Sequence, residues 1–483
     1  MPVRCTAYAT GLFRHDRMLV LARRVGNGMD EAETNIPARH KSKLTEYYGI
    51  GTWAFLGLAC IYALTLRVLL ARQLPLWIDE SWTALLSSAP SLQSFVHQMW
   101  LDSNAPLYYF VVWLWPFESD FGLRIPSILF LLISAGGVVR WAPLGRERRL
   151  FWAALLILWP EGISLFQDAR YYALLYLLAT FQVIAYLALI REPTLRRACM
   201  WTGVSTLAIL THYYAAILAV FQGLYYAWRH RSRAIETWPA LLLTIPAFGW
   251  LAYHWPRLKL YGTVGTSWYP TLEPLEALRL LAFPVGGWLV VVASVLLSNR
   301  KPTFAVLVTA AASVILLLCV GLALPVLTAR YLIPIVPSLL FCVAASVRSV
   351  GFLPVAALLF LPASGFTAWS VLLNQRANFG LERAAEMVPP KSTVTWWIDY
   401  PGSKIHDKPQ MEAMLADAFA RADVELRQAR WGTDFQAGDA AIIIYQDDVN
   451  RTVKAPKNWT CNALTGWAHA TLACHAPPPT SGG

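Results

Sequence analysis

The chain has 483 residues, of which 57% are hydrophobic and only 14% are charged, and its mean hydropathy is +0.44. Soluble globular proteins carry about 25% charged residues, so this composition excludes a set of soluble domains, and it equally excludes a disordered chain, a coiled coil and a disulfide scaffold. It predicts a polytopic membrane protein, whose basic cytoplasmic loops account for the net charge of +11 without any nucleic-acid partner.

The first 48 residues are rich in charged side chains and contain no long apolar run. We therefore expect a cytoplasmic, partly disordered tail without a signal peptide. Eleven apolar runs follow, and most approach the ~20 residues that a helix needs to cross a bilayer. They lie at 50–70, 122–140, 150–167, 171–190, 198–212, 213–228, 237–255, 275–298, 303–327, 331–347 and 352–373. A further apolar stretch, 105–117, is too short to span and predicts an interfacial helix on the outer face.

The orientation follows from the basic residues, which concentrate in cytoplasmic loops. With 11 spans and the tail inside, the arginine clusters at 146–149 and 229–233 fall on the cytoplasmic side. Between Arg72 and Arg124 the chain has five acidic residues and no Lys or Arg, which places that segment outside. The predicted architecture has three parts. They are a cytoplasmic tail (1–48), a transmembrane domain (49–373) with a first outer loop at 71–121, and an outer C-terminal domain (374–483).

The C-terminal part returns to a soluble composition, with 11 Lys/Arg and 12 Asp/Glu in residues 374–483. Predicted helices near 381–388 and 410–421 and predicted strands at 393–398 and 440–445 indicate a small α/β domain. This domain holds Cys461 and Cys474, which could form a disulfide in an oxidising compartment. The chain has no CxxC or HExxH pattern, so we expect no dedicated zinc site.

The predicted topology brings several unusual polar residues to the outer face, where ionisable groups at the membrane edge are costly and usually functional. Asp79 and Glu80 follow the first span in the sequence Trp-Ile-Asp-Glu-Ser-Trp. A carboxylate there predicts a general base that activates an acceptor hydroxyl or amine, although Asp79 is also well placed to cap a helix. Asp102 is a weaker candidate for substrate contact, and it too precedes a helix with proline in its first turn.

Two Arg-Tyr pairs occur at predicted outer helix ends, Arg170-Tyr171 and Arg330-Tyr331. Guanidinium groups bind phosphate oxygens bidentately, so the two pairs predict a phosphate site; the alternative is arginine snorkelling to lipid headgroups. His212 is a further candidate, although a lone histidine at a helix end is often structural. Lys259, in a predicted outer loop, either adds positive charge to the site or is an ordinary solvated residue.

These residues lie in short motifs that follow one another in the order found in a known family. The motifs are Trp77-Ile78-Asp79-Glu80, Asn104-Ala105-Pro106-Leu107-Tyr108-Tyr109, Phe121-Gly122-Leu123-Arg124-Ile125-Pro126-Ser127, Gln167-Asp168-Ala169-Arg170-Tyr171-Tyr172-Ala173-Leu174, Thr211-His212-Tyr213 and Ala329-Arg330-Tyr331-Leu332-Ile333-Pro334. Over about 75–345 the chain resembles the GT-C glycosyltransferases, in particular the bacterial branch akin to protein O-mannosyltransferases and lipid A aminoarabinose transferases.

The resemblance implies an inverting transfer from a polyprenyl-phosphate-linked sugar, in the bacterial inner membrane, with the active site facing the periplasm. Asp79 matches the catalytic aspartate of the family, and Arg170 and Arg330 lie where lipid-phosphate contacts are expected. The implied acceptor is a glycolipid, lipopolysaccharide or other polysaccharide, or a protein. This scheme requires no metal, and a divalent cation beside Asp79 and Glu80 is an open alternative.

Two other functional classes compete with a transferase. A transporter or lipid flippase predicts ionisable residues at mid-membrane and interrupted helices in matching halves. A polytopic scaffold with a partner-binding outer domain predicts no dependence on Asp79. The charged residues singled out above lie at outer helix ends and the sequence shows no internal repeat, which favours the transferase.

Overall fold

The computed structural model describes part of the chain in detail. The described residues are 38–74, 76–263, 272–282, 301–324, 326–346, 362, 364–372, 393–399, 413, 417, 428–431, 440–446, 459–465 and 469–475. The predicted tail up to residue 37 and the predicted helix at 381–388 lie outside these residues. Of the predicted helix at 410–421, the described positions 413 and 417 are helical.

Helices make up most of the described chain. They are α1 (Ala38–Gln73), α2 (Ile78–Ser87), α3 (Leu92–Leu101), α4 (Leu107–Trp113), α5 (Asp120–Trp141), α6 (Arg146–Leu158), α7 (Gly162–Leu165), α8 (Tyr172–Arg191), α9 (Leu195–Thr211), α10 (Ala215–His230), α11 (Ser232–Glu236), α12 (Ile245–Thr263), α13 (Pro274–Ala282), α14 (Lys301–Ala323) and α15 (Val336–Ser346). Two 3₁₀ segments, Trp238–Thr244 and Ala329–Ile335, lead directly into α12 and α15.

Five described helical segments are long and apolar enough to cross a membrane, namely Gly51–Gln73, Asp120–Trp141, Tyr172–Arg191, Thr303–Ala323 and Ala329–Ser346. Each coincides with a predicted span, so the chain is a polytopic helical membrane protein. Three other predicted spans overlap the shorter helices α6, α9 and α10, of 13, 17 and 16 residues. The predicted span at 237–255 overlaps the 3₁₀ segment Trp238–Thr244 and the first part of α12. Those at 275–298 and 352–373 extend beyond the described residues, so the total of 11 stays a prediction.

The short apolar stretch at 105–117 forms α4, which has only seven residues. Seven helical residues rise about 10 Å, a third of the hydrocarbon thickness, so this helix does not span. The prediction of a short helix in this stretch is therefore confirmed. Its place on the outer face stays a prediction.

Helix α8 lies at the centre of the helical part and is buried along almost its whole length. Helix α5 packs on one side of it and α9 on another. Gln182 of α8 donates from Nε2 to Ser205 Oγ of α9 at 3.0 Å, which ties these two helices together in their buried interior. Ser205 is a small residue, and small residues at a helix interface allow two membrane helices to approach each other closely.

Gly137 of α5 packs against Phe181 of α8, because a Cβ atom added at Gly137 would lie 2.5 Å from Phe181 Cζ. We expect Gly137→Ala to destabilise the protein by about 1–3 kcal/mol through overpacking. The matched control is Gly136→Ala, one residue earlier, where an added Cβ meets nothing within 4 Å. That substitution should be neutral or stabilise α5 by up to about 1 kcal/mol. Thermal unfolding in detergent measures both, and equal effects would contradict this packing.

The C-terminal part contains a five-stranded mixed sheet in the order β2-β1-β3-β5-β4. Its strands are β1 (Thr393–Asp399), β2 (Gln428–Trp431), β3 (Ala440–Gln446), β4 (Thr460–Thr465) and β5 (His469–His475). Strand β1 pairs in parallel with β2 and β3, whereas β5 is antiparallel to β3 and β4. The two predicted strands correspond to β1 and β3 and are confirmed. Parallel neighbours require crossover connections, which agrees with an α/β arrangement.

Cys474 of β5 is disulfide-bonded, and the β4–β5 register sets Cys461 directly opposite it. This is the arrangement expected for the predicted Cys461–Cys474 bridge. The free cysteines among the described residues are Cys60, Cys199, Cys319 and Cys342.

Candidate active site

Asp79 lies in the first turn of α2, at the start of the predicted outer loop. The helix is capped by Trp77, whose backbone is extended, and Glu80 Oε2 accepts a hydrogen bond from Trp77 N at 3.2 Å. The alternative reading of Asp79 as the helix cap is therefore wrong, because Glu80 folds back over the helix start instead. The Asp79 side chain is 24% exposed and faces two arginines.

Arg170 and Arg330 converge on a single carboxylate oxygen. Asp79 Oδ2 lies 3.7 Å from Arg170 Nη2 and 3.6 Å from Arg330 Nη1. We call these three residues the Asp79–arginine cluster. It joins the start of α2, the turn before α8 and the 3₁₀ segment before α15. The structure thus brings together three sequence-predicted site residues that are up to 251 positions apart in the chain.

Each arginine is held by further contacts that fix its direction. Arg170 Nη1 donates to the backbone oxygen of Asp79 at 2.8 Å, and Arg330 Nη1 donates to the Tyr172 hydroxyl at 2.9 Å. The Arg170 guanidinium also lies over two aromatic rings, 5.8 Å from Tyr109 and 5.3 Å from Tyr171. Cation–π contacts of this kind stabilise a charge that is withdrawn from water.

Two buried polar atoms beside the cluster lack a hydrogen-bond partner among the described residues: Arg170 Nε and the Tyr109 hydroxyl. A buried donor without a partner costs about 1–3 kcal/mol. Such atoms are expected where a ligand supplies the missing acceptor. The cluster therefore offers a buried N–H to an anionic ligand.

A buried ion pair lies directly behind the cluster. Glu80 and Arg124 are 0% and 1% exposed, with Arg124 Nε donating to Oε1 at 2.7 Å and Arg124 Nη2 donating to Oε2 at 2.5 Å. Glu80 Oε1 also accepts from Ala169 N at 2.6 Å. Because Glu80 adjoins Asp79 and Ala169 adjoins Arg170, the bond between Glu80 and Ala169 N fixes the spacing between Asp79 and Arg170.

The turn that carries Arg170 is anchored to α5 at a second point. Ser127 Oγ donates to the backbone oxygen of Asp168 at 2.7 Å, and Gln167 Nε2 donates to Asp168 Oδ1. Burial, reinforced by the nearby Glu80 carboxylate, raises the pKa of Asp168 well above its usual value. Protonation of Asp168 is thus easier than protonation of an exposed aspartate.

An aromatic cluster adjoins the arginines. The His212 ring is 4.9 Å from the Tyr171 ring and 4.9 Å from the Tyr331 ring, and Tyr214 stacks on Tyr331 at 4.7 Å. Three predicted site residues, Tyr171, His212 and Tyr331, thus contact one another. His212 is buried and its Nδ1 accepts from Tyr214 N at 3.4 Å, so it acts here as a packed neighbour of the cluster.

The two other predicted site residues are Asp102 and Lys259. Asp102 ends α3, and its Oδ1 accepts from Asn104 N at 3.1 Å and from Asn104 Nδ2 at 2.8 Å. Its carboxylate thus closes a turn and does not cap the following helix. Lys259 is exposed on α12, so its prediction as a loop residue is wrong: the helix continues past Pro256, where Arg257 bonds to Leu101 O at 3.3 Å.

The structure adds residues that the sequence analysis did not select, chiefly Arg124, Tyr109 and Tyr172. Arg124 had a signal, because an arginine inside an apolar helix is costly and needs a buried partner. Tyr172 had none beyond its position two residues after Arg170, and Tyr109 had none beyond its place in the Leu-Tyr-Tyr motif, since the role of both depends on where the arginines point.

The arrangement fits an anion better than a metal ion. Within the described part of the chain, no group of three or more His, Cys, Asp or Glu side chains could hold a metal. Asp79 faces two cations, and both oxygens of Glu80 accept hydrogen bonds already described. A divalent cation beside Asp79 and Glu80 stays a prediction that these contacts do not test.

No family model and no curated protein sequence matches the chain. Among solved structures, ArnT from Cupriavidus metallidurans in the apo state aligns with a TM-score of 0.51 and 13% sequence identity, over 88% of this chain and 98% of that one. The chain has the ArnT fold. The same enzyme bound to undecaprenyl phosphate gives a TM-score of 0.49 at 13% identity, over 87% and 98% of the two chains.

The ArnT-like fold and the five long apolar helices confirm the coarser part of the predicted fold class: a polytopic helical membrane protein. At 13% identity the similarity concerns the fold alone. The particular branch, the number of spans and the placement of the C-terminal sheet outside the membrane remain predictions.

Proposed function

We propose that the chain is an integral-membrane glycosyltransferase that moves a sugar from a polyprenyl-phosphate donor to an acceptor on the outer side of the membrane, with inversion at the anomeric carbon. The observation that carries this proposal is the Asp79–arginine cluster, in which one partly exposed carboxylate and two arginines meet at the same point. The GT-C type of fold supports the same class of reaction.

The charges of the cluster suit the chemistry. A donor phosphodiester has one negative charge, and its ester oxygen gains a second when the bond to the anomeric carbon breaks. In the proposed step Asp79 takes the proton of the acceptor hydroxyl or amine, whose oxygen or nitrogen attacks that carbon. Arg170 and Arg330 stabilise the departing phosphate as its charge grows.

The other residues take supporting roles in this proposal. Tyr171, His212 and Tyr331 form the aromatic side of the site, against which a sugar ring or prenyl chain packs. Asp102 and Lys259 remain proposed substrate contacts. Glu80 becomes a positioning residue in place of the catalytic role expected from the sequence, because it is fully buried against Arg124.

We place the reaction in a bacterial plasma membrane, on the periplasmic side. The disulfide at Cys474 supports an oxidising compartment for the C-terminal sheet. The absence of basic residues between Arg72 and Arg124 supports the same side for the loop that carries Asp79. The acceptor is a glycolipid, a polysaccharide such as lipopolysaccharide, or a protein.

A substrate panel tests the proposal. Purified protein is incubated with a series of polyprenyl-phosphate sugars, and glycolipids from cells with and without the gene are compared by mass spectrometry. We expect one donor to be consumed and one cellular glycan to lose a sugar in the absence of the gene. Arg330→Ala should strongly reduce transfer. Glu147→Gln, which changes an exposed acid at the opposite end of α5 and α6, should retain it.

Two outcomes would overturn the proposal. One is a folded protein that consumes no donor in the panel while the cellular glycans stay unchanged. The other is lipid or solute movement across vesicles that persists in Arg330→Ala, which would favour a transporter or flippase.

A further inference from the structure

We infer that the Asp79 carboxylate competes with the donor phosphate for the same two arginines, so that donor binding releases Asp79 to act as the base. This inference rests on the proposed function and concerns the control of that same site.

Both arginines attract the Asp79 carboxylate, but neither forms a short hydrogen bond with it. One oxygen, Asp79 Oδ2, lies 3.6 and 3.7 Å from two different guanidinium groups. These distances are within ion-pair range but longer than a charge-assisted hydrogen bond of about 2.7–2.9 Å. The carboxylate is thus attracted by both cations and bonded tightly to neither.

Arg170 keeps donor capacity for a second anion. A guanidinium has five N–H donors, and Arg170 uses one of them on the backbone oxygen of Asp79 at 2.8 Å. Its buried Nε has no partner within the described residues. A phosphate oxygen placed there would form the direct hydrogen bond that Asp79 Oδ2 does not reach.

Only the side chain of Asp79 has to move. The backbone at this point is held by the Arg170 bond to Asp79 O and by the neighbouring Glu80, which bonds to Trp77 N and Ala169 N. The carboxylate itself is 24% exposed, so rotation towards the open side costs little packing. The positive end of α2 still stabilises it in that position.

The arrangement has a chemical consequence. Without donor, the two cations hold the Asp79 carboxylate away from an acceptor molecule. When the phosphate occupies the arginines, the like charge of Asp79 is repelled and the carboxylate turns towards the acceptor. The base is therefore active only when a sugar is present to be transferred.

The test measures binding of undecaprenyl phosphate to the purified full-length protein in detergent. Asp79→Asn removes the competing charge at nearly constant shape and should tighten binding by about tenfold, equivalent to about 1.4 kcal/mol for a partly exposed ion pair. Asp79→Ser serves as a second variant should the first fail to fold. Undecaprenol, which lacks the phosphate, should bind equally to the wild type and both variants.

Glu147→Gln is the charge-matched control, because it removes one exposed acid away from the cluster and should leave the affinity unchanged. Binding of undecaprenyl phosphate that is unchanged or weaker in both Asp79 variants would overturn the inference while leaving the proposed function intact. No binding to the wild type would instead count against the proposed function. If Glu147→Gln raised the affinity for undecaprenyl phosphate by the same factor, the effect would come from net charge alone. That result would also overturn the inference.

Discussion

Asp79→Asn is expected to lower the rate of sugar transfer by about 10²- to 10⁴-fold, which is the usual contribution of a general base. The amide keeps the shape of the side chain and can still contact Arg170 and Arg330, but it cannot accept the acceptor's proton. Since Asp79 is partly exposed and lies at the helix start, we expect the unfolding temperature to change little.

The kinetic pattern separates a base from a binding residue. Loss of the base should reduce kcat at saturating donor without raising the donor KM, whereas Arg330→Ala should raise the donor KM as well as lower kcat. Transfer rates at several donor concentrations, measured with a labelled sugar, give both constants. Wild-type activity in Asp79→Asn would contradict the assignment of the base.

Glu80→Ala is expected to have the largest effect on stability, a loss of about 3–5 kcal/mol. The Arg124 side chain is only 1% exposed, and the substitution leaves its guanidinium without the carboxylate partner. It also removes the oxygens that accept hydrogen bonds from Ala169 N and Trp77 N. Lower yield after detergent extraction and an earlier thermal transition would report this loss.

The chain offers a matched control in a second ion pair of the same length. Arg197 and Glu192 are also 2.5 Å apart, but their side chains are 30% and 58% exposed. Glu192→Ala should therefore change the unfolding free energy by less than about 1 kcal/mol. Similar losses in Glu80→Ala and Glu192→Ala would show that burial is not the source of the effect.

Much of the site could be predicted because charge and hydropathy act over long stretches of sequence. Asp79, Arg170 and Arg330 interrupt apolar runs at positions that the basic-residue rule assigns to one side of the membrane. That rule brings them to one surface without any knowledge of packing. The hydropathy of the sequence located five spans that the structure contains as long apolar helices.

Local details depended on contacts that no sequence window contains. Helix α2 is capped with the help of Glu80, and that side chain has its position because Arg124 arrives from α5. Helix α12 continues past Pro256, where a sequence pattern favours an end, because His254 and Arg257 are held by the backbone of α3. Tertiary partners decided both cases.

The contacts of Arg124 also bear on how the protein is made. Besides Glu80, Arg124 Nη1 bonds to the backbone oxygens of Ala71 and Leu74 at the end of α1. These carbonyls and the Glu80 carboxylate are synthesised before Arg124, and the Ala169 amide is synthesised after it. During biogenesis the end of α1 and the Glu80 carboxylate therefore lack their arginine partner until α5 has been synthesised. The nascent chain completes its charge pairing only when the residues ahead of α8 emerge, so insertion and assembly of this region are coupled steps.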